Sequence, residues 1–349
     1  ITAELNSIAG RASSDDDVIE ALRGVRAREI VRICLAHLSG LLDLPDLARA
    51  LTDLAEAILA FTVERTCRDT AINLCVVAMG SFGAGEMGYS SDADVQFVCE
   101  GDLAEATRAA ARVQTILNAP ASGINMRVNA DLRPEGRSGP LVRTLASFDD
   151  YYAHHAERWE RQALLRARCI TGSIDLREAV TSIMDRERYR PGGMDARERR
   201  DFARMKARIE GERLPRGVRP SHHLKLGRGG TTDVEWCVQR LLLEHAGDDE
   251  SLRIVGTLDA LAALEKAGHL ESSDALALSE AWQLAWELRR ALFLWRGREN
   301  DALPTDLVDL RAIAALVREP VDNARAIEER YLKVTRHSRQ VAERLIFGE

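Results

Sequence analysis

The sequence predicts an α+β fold, with helices flanking a small sheet and an all-helical region after it. Three observations predict this. Residues 16–63 place Val18, Ile19, Leu22, Val25, Ile30, Ile33, Leu35 and Leu38 at helical spacing, and a second such run covers 47–61. From about 71 to 144 the chain turns to short apolar runs broken by glycine, the mark of strands between turns. Beyond residue 147 the pattern is helical again, apart from a polar, Pro/Gly-containing stretch over 188–225.

The elements follow in order. Gly40 to Pro45 is a turn, so the first two helices read as an antiparallel pair. Leu74 to Met79 is a solid apolar run and reads as a buried strand; Asp92 to Val98 reads as a second. Leu103–Leu117 is an Ala-rich helix pattern. Ile124 to Leu132 alternates: Ile124, Met126, Val128, Ala130 and Leu132 are apolar, whereas Asn125, Arg127, Asn129 and Asp131 are polar. One face of this strand is core and the other is wet. Residues 134–140 form a turn-rich, cationic loop. Helical runs over 252–270, 275–295 and 322–346 suggest a bundle, entered at Gly247-Asp248-Asp249. The expected domains are 1–70, N-terminal helices; 71–245, a catalytic domain; and 246–349, the C-terminal bundle.

Composition narrows the function. The 349 residues carry 48 basic and 55 acidic side chains, a net charge of -7, which disfavours broad binding to a nucleic-acid backbone. Aromatics make up 5%, too few for a platform on which bases stack. The six cysteines contain no CxxC pair, and Cys75 and Cys99 read as small core residues in a reducing compartment. No signal peptide, membrane-spanning run or lipidation motif is visible, so the expectation is a cytoplasmic protein with no membrane partner. Residue 1 is Ile, which points to a piece of a longer chain.

The most informative stretch runs from Gly80 to Asp94. It leaves a buried strand through Gly80-Ser81-Phe82-Gly83-Ala84-Gly85, whose glycines let backbone amides approach an anion. Asp92 and Asp94 then arrive two residues apart at the start of the next strand, on one face. Two carboxylates so close repel unless a cation lies between them, and Mg²⁺ held by carboxylates and substrate phosphates is the usual solution. The chemistry implied is metal-assisted transfer from a nucleotide. The eight histidines suggest no ligand set, because His154-His155 and His222-His223 are adjacent and their side chains diverge.

Four motifs together carry a family resemblance. They are Gly83-x-Gly85-Glu86-Met87-Gly88-Tyr89-x-Ser91-Asp92-x-Asp94, Leu132-Arg133-Pro134-x-Gly136-x-x-Gly139, Trp159-Glu160-x-Gln162-Ala163-Leu164-x-Arg166-Ala167-Arg168, and Lys225-Leu226-Gly227-x-Gly229-Gly230-Thr231-Thr232-Asp233-Val234-Glu235. In this order they resemble the bifunctional glutamine-synthetase adenylyltransferase / adenylyl-removing enzymes, from about Leu22 to the C-terminus. Tyr89 and Thr232-Asp233 look like the C-terminal, AMP-attaching half. The resemblance implies a DNA polymerase β-like nucleotidyltransferase core and a helical domain. It also implies transfer of AMP from ATP to a tyrosine of glutamine synthetase by two Mg²⁺ (or Mn²⁺) ions, with the PII signalling protein as a possible partner.

On that resemblance Asp92, Asp94 and Asn129 are the catalytic and metal-binding positions, and Gly80, Ser81, Ser91, Arg133, Lys225 and Asp233 the nucleotide-binding ones. Two departures stand out. Relatives carry a third metal carboxylate where this chain has Asn129, a neutral and poorer ligand that cannot act as a base. Either a deliberate Asp-to-Asn change or a natural weak form accounts for it, and slow turnover follows from both. Asp131, two residues on, is a partial substitute. Many relatives also carry Lys or Arg in place of Ser81, so one phosphate contact is missing. Arg137 reads equally as a phosphate contact or a surface salt bridge, while Trp159, Glu160 and Arg166 read as scaffold. Trp282, Trp286 and Trp295 read as core anchors. The alternatives are nucleotidyl transfer to a PII protein or a small molecule, and a nucleotide- or PII-binding module with weak or no turnover.

Overall fold

A computed structural model describes residues 1, 4–5, 7–8, 12, 14–120 and 126–348. The chain forms two units, Ile1–Arg188 and Tyr189–Glu349, so residues 189–245 fall with the C-terminal helices and not with the sheet. The first unit is mixed α/β and the second is helical. No helix among the described residues is long and apolar enough to cross a membrane.

The first unit opens with α1 (Asp15–Leu38) and α2 (Leu44–Cys67), the expected helix pair. Ser14 and Asp17 form a capping box at the start of α1, and Asp43 caps α2 with Pro45 in its first turn. Strand β1 (Asn73–Ala78) leads into the four-residue helix α3 (Gly80–Gly83) and then β2 (Ala93–Glu100) and α4 (Leu103–Leu117). From Leu74 to Met79 no side chain is more than 3% exposed, so both faces of β1 are covered. That is why it reads as a continuous apolar run without alternation.

β2 is the central strand. It pairs antiparallel with β1, and along its other edge parallel with β3 (Val128–Asn129) and then β4 (Val142–Thr144). β1 in turn pairs antiparallel with β5 (Arg168–Cys169). Helices α5 (Leu145–His154), α6 (Arg158–Leu164) and α7 (Ile174–Arg188) complete the unit. The strand expected over 124–132 is only two residues long; its first two positions, Ile124 and Asn125, lie outside the described residues. Cys75 and Cys99 are fully buried and all six cysteines are free.

A buried carboxylate ties α5 to α6. Glu160, 3% exposed, accepts the Tyr151 hydroxyl at 2.8 Å, the Glu157 amide at 2.8 Å and the Glu135 amide at 3.3 Å. Burial and this carboxylate push the Tyr151 phenol up to about 12.

The second unit comprises α8 (Ala196–Glu212), α9 (Thr231–His245), α10 (Thr257–Lys266), α11 (Ser272–Arg296), α12 (Leu307–Leu316) and α13 (Arg325–Ala342). Helix α8 occupies much of the stretch that reads as irregular from sequence; an Asp195/Glu198 capping box starts it. Trp282 and Trp286 are buried and stacked, as core anchors should be. Trp295 differs: it is 45% exposed and donates its indole N–H to Asp309 at 2.7 Å.

Glu160→Ala leaves the Tyr151 hydroxyl and the Glu157 amide without their acceptor, while the Glu135 amide keeps the Tyr151 hydroxyl oxygen at 3.1 Å. It should lower the unfolding free energy by about 3 kcal/mol, read as the urea midpoint, whereas Glu160→Gln should lose less.

Candidate active site

Because β1 and β2 run antiparallel, the end of one and the start of the other meet at a single crest. The Met79 amide donates to the Asp94 carbonyl at 2.8 Å. The next residue, Gly80, has φ +57°, a left-handed conformation that a Cβ would strain. A Cβ there would lie 3.2 Å from Asp94 Oδ2, so the glycine backbone lies against this carboxylate. On the other side of β2, Asp94 stands opposite Asn129 of β3. The glycine loop, one carboxylate and one amide therefore line up across three chain segments. Asp92 lies just before β2 and is exposed, whereas Asp94 is half-buried.

The loop that carries the glycines is held from below. A Cβ on Gly83 would fall 2.0 Å from the Arg166 carbonyl and 2.5 Å from that of Ala78. The Gly83 carbonyl accepts Arg168 Nε at 3.1 Å, and Arg168 also grips Glu56 of α2 at 2.6 Å. Arg166 pairs with Glu86 at 2.5 Å, both side chains nearly buried. The Trp159–Arg168 motif is thus scaffold. The first amides of α3 have no preceding turn to bond and remain for other acceptors. Ser91 Oγ accepts the Gly88 amide at 2.8 Å and closes the turn before Asp92.

Beyond β3 the chain turns at once. Asn129 Oδ1 accepts the Asp131 amide at 2.9 Å, and Asp131 pairs with Arg137 at 2.6 Å. Asp131 therefore belongs to a turn, not to the strand face expected for it. Arg133 donates to the carbonyls of Ala130, Arg137 and Gly139 at 2.9–3.0 Å, so three of its five N–H groups organise the loop. In the sequence Arg127 stands out only as one polar position of a wet face. It is exposed two residues before Asn129, its carbonyl accepts the Ala93 amide at 2.7 Å, and no ion pair among the described residues engages it. The same-face period with Asn129 is the signal that points to it.

Lys225 and Asp233 lie in the second unit. Lys225 is exposed. Asp233 is fully buried, accepts the Gly229 amide at 2.7 Å, and pairs with Lys206 and with Arg339 (3.2 Å for the latter). It organises the Gly229–Gly230 loop, where a Gly229 Cβ would fall 1.9 Å from the Thr335 carbonyl. His222 pairs with Glu328 at 2.9 Å, and His154 and His155 both face Asp150; none joins a ligand set.

The donors at the crest suit a hard cation, since carboxylate and amide oxygens are its ligands. The amide is the weak member. Among the described residues no three His, Cys, Asp or Glu side chains gather as a metal site; at the crest the third position is Asn129.

Residues 1–183 match the family described as glutamate-ammonia ligase adenylyltransferase, and residues 203–346 match GlnD PII-uridylyltransferase. Among curated proteins, the chain is 40% identical to the bifunctional glutamine synthetase adenylyltransferase/adenylyl-removing enzyme of Mycobacterium leprae, over 100% of this chain and 36% of that protein. It is 41% identical to the protein of the same name from Nocardia farcinica, over 97% of this chain and 36% of that protein. The chain thus spans about a third of the length of these relatives.

Gly83→Ala should cost about 1–3 kcal/mol in the urea midpoint, because backbone carbonyls cannot yield to a methyl group. Gly211→Ala, with open space around its Cβ, is the matched control and should be neutral or better. Asp233→Ala removes a partner of the buried Lys206 and should cost about 3 kcal/mol. Burial works to raise the pKa of Glu210 in the same cluster, but Arg339 and Lys206 outweigh it and hold it below its ordinary value. Its contribution is complete above the unfolded value of about 4.3 and fades as pH falls through the lower folded value. Glu210→Gln should therefore flatten the loss of stability on acidification below that pH.

Proposed function

The chain belongs to the glutamate-ammonia ligase adenylyltransferase family, and on that premise we propose that it transfers AMP from ATP to a tyrosine of glutamine synthetase. Such a modification would down-regulate nitrogen assimilation. The observation that carries the proposal is the crest where Gly80, Asp94 and Asn129 stand side by side. The first unit would be a DNA polymerase β-like nucleotidyltransferase core.

The reaction joins the tyrosine oxygen to the α-phosphorus, breaks the α–β anhydride and releases pyrophosphate. The amides of Gly80 and Ser81, with the Ser81 hydroxyl, would receive phosphate oxygens, and Ser91 would fix the turn that presents Asp92. Arg127 would offer its guanidinium fork to the same phosphates. Arg133 and Asp233 would act through the loops they shape.

Asp92 and Asp94 would hold Mg²⁺ or Mn²⁺, with the Asn129 oxygen as third ligand. A divalent pair held there would supply charge for the α-phosphate and the leaving pyrophosphate and would lower the pKa of the acceptor hydroxyl. Asn129 adds neither charge nor a proton acceptor, so turnover would be slow.

A second reading has one observation in its favour. The match of residues 203–346 to a PII-uridylyltransferase family supports nucleotidyl transfer to PII, or PII as a regulatory partner. Transfer of label from α-labelled ATP or UTP, offered with glutamine synthetase or with PII, separates the two. Label from ATP on glutamine synthetase is the expected result, and label from UTP on PII would replace the first reading by the second.

Calorimetry should show ATP binding that needs Mg²⁺, and Asp92→Asn/Asp94→Asn should weaken it at least about tenfold. Binding indifferent to metal and to both aspartates would remove the crest from the mechanism. Arg127→Gln should also weaken ATP binding, with metal dependence retained. Asn129→Asp should raise turnover by on the order of tenfold to a hundredfold, the range that changes around metal sites produce. An unchanged rate would show that the third ligand lies elsewhere.

A further inference from the structure

Charge in this chain is segregated. Residues 197–228 hold eleven Arg and Lys against four Asp and Glu, a net +7 in a chain of net -7, so the other 317 residues carry -14. On α8, Arg197, Arg200, Arg204 and Arg208 follow one another at spacings of three and four, which places them on one helix face about 16 Å long. All four are exposed, while Phe202 and Lys206 on the opposite face are buried. Arg213, Arg216, Arg219, Lys225 and Arg228 continue the series and are exposed too. Of these nine cations, among the described residues only Arg204 has an ion pair, to Asp201 at 3.6 Å with its own side chain 74% exposed. Of the four acids in the segment, Glu198 caps α8 and Glu210 holds Lys206 and Arg339.

A surface of this kind raises the local concentration of an anionic partner and orients it. Eight of the nine cations are arginine, whose planar fork takes a carboxylate through two parallel hydrogen bonds. A nucleic-acid strand would also use aromatic faces, yet Phe202 is the sole Phe, Tyr or Trp in the segment and is 4% exposed. We propose that the Arg197–Arg208 ridge docks a carboxylate-rich surface of the protein that accepts AMP, an inference that rests on the transfer reading above.

The test compares the chain with R197Q/R200Q/R204Q/R208Q, all four positions being solvent-facing. In AMP transfer to glutamine synthetase at low salt, the variant should raise the KM for glutamine synthetase about tenfold. The KM for ATP and kcat should not change, and added salt should close the gap between the two proteins. An unchanged KM for the protein acceptor overturns the proposal. If the unmodified chain transfers no AMP to glutamine synthetase, the transfer reading fails, and the ridge is judged by retention on immobilised poly-glutamate and poly-uridylate. Salt-sensitive retention on poly-glutamate that the variant loses supports an acidic protein partner. Tighter retention on poly-uridylate, equal retention of the variant, or none on poly-glutamate overturns it.

Discussion

The contact of the Arg166 carbonyl with Gly83 is the constraint on which the first unit's crest depends. No side chain larger than hydrogen fits between them. With that contact made, Arg166 and Arg168 reach in two directions, one to Glu86 at the far end of the glycine loop and the other to Gly83 and to α2 through Glu56. A partly buried ion pair adds little net stability over apolar packing, because the desolvation of both charges offsets their attraction. Its effect here is positional. It fixes where the loop between β1 and β2 stands, and thereby where Gly80 stands against Asp94.

Much of this was legible in the sequence where local chemistry decides local structure. α4 runs over the expected 103–117, because Asp102 caps it and its buried residues keep a helical period. β1 was legible as an unbroken apolar run. The alternating strand around Asn129 was not, and the reason is the Asn118 side chain at the end of the preceding helix. The Asn118 amide gives Val128 both a donor and an acceptor, at 3.0 and 2.8 Å, in place of a neighbouring strand. Asn129 then bonds the Asp131 amide and bends the chain away. Alternation reports which face is wet, not how far a ladder extends.

The same limit explains the second unit. α8 buries only Phe202 and Lys206, so no apolar stripe announces it. Asp233 sits in a motif that looks like part of a binding site, yet its partners Lys206 and Arg339 lie 27 and 106 positions away. Sequence shows that an acid is present; only the fold shows which cation it faces. Arg133 is the parallel case in the first unit: a guanidinium beside a candidate phosphate site turns out to hold three carbonyls of its own loop.

The cations around the crest lead to a conclusion about charge. Arg137 is paired with Asp131, Arg143 with Glu135, Arg166 with Glu86 and Arg168 with Glu56, and Ser81 on the glycine loop carries no charge. Among the described residues, Arg127 and Arg133 near Asn129 have no ion pair with an acid, and Arg133 is spent on the carbonyls of its own loop. On the transfer reading, a few guanidinium groups and backbone amides would face a triphosphate together with two carboxylates, and the sum would be strongly negative. Electrostatics of this kind admits the substrate only as a complex with its own counter-ions. The Asn129 amide eases that repulsion by one charge relative to a carboxylate, while weakening the hold on the ion. On the transfer reading, slow turnover with a steep dependence on the divalent ion is what this balance would favour.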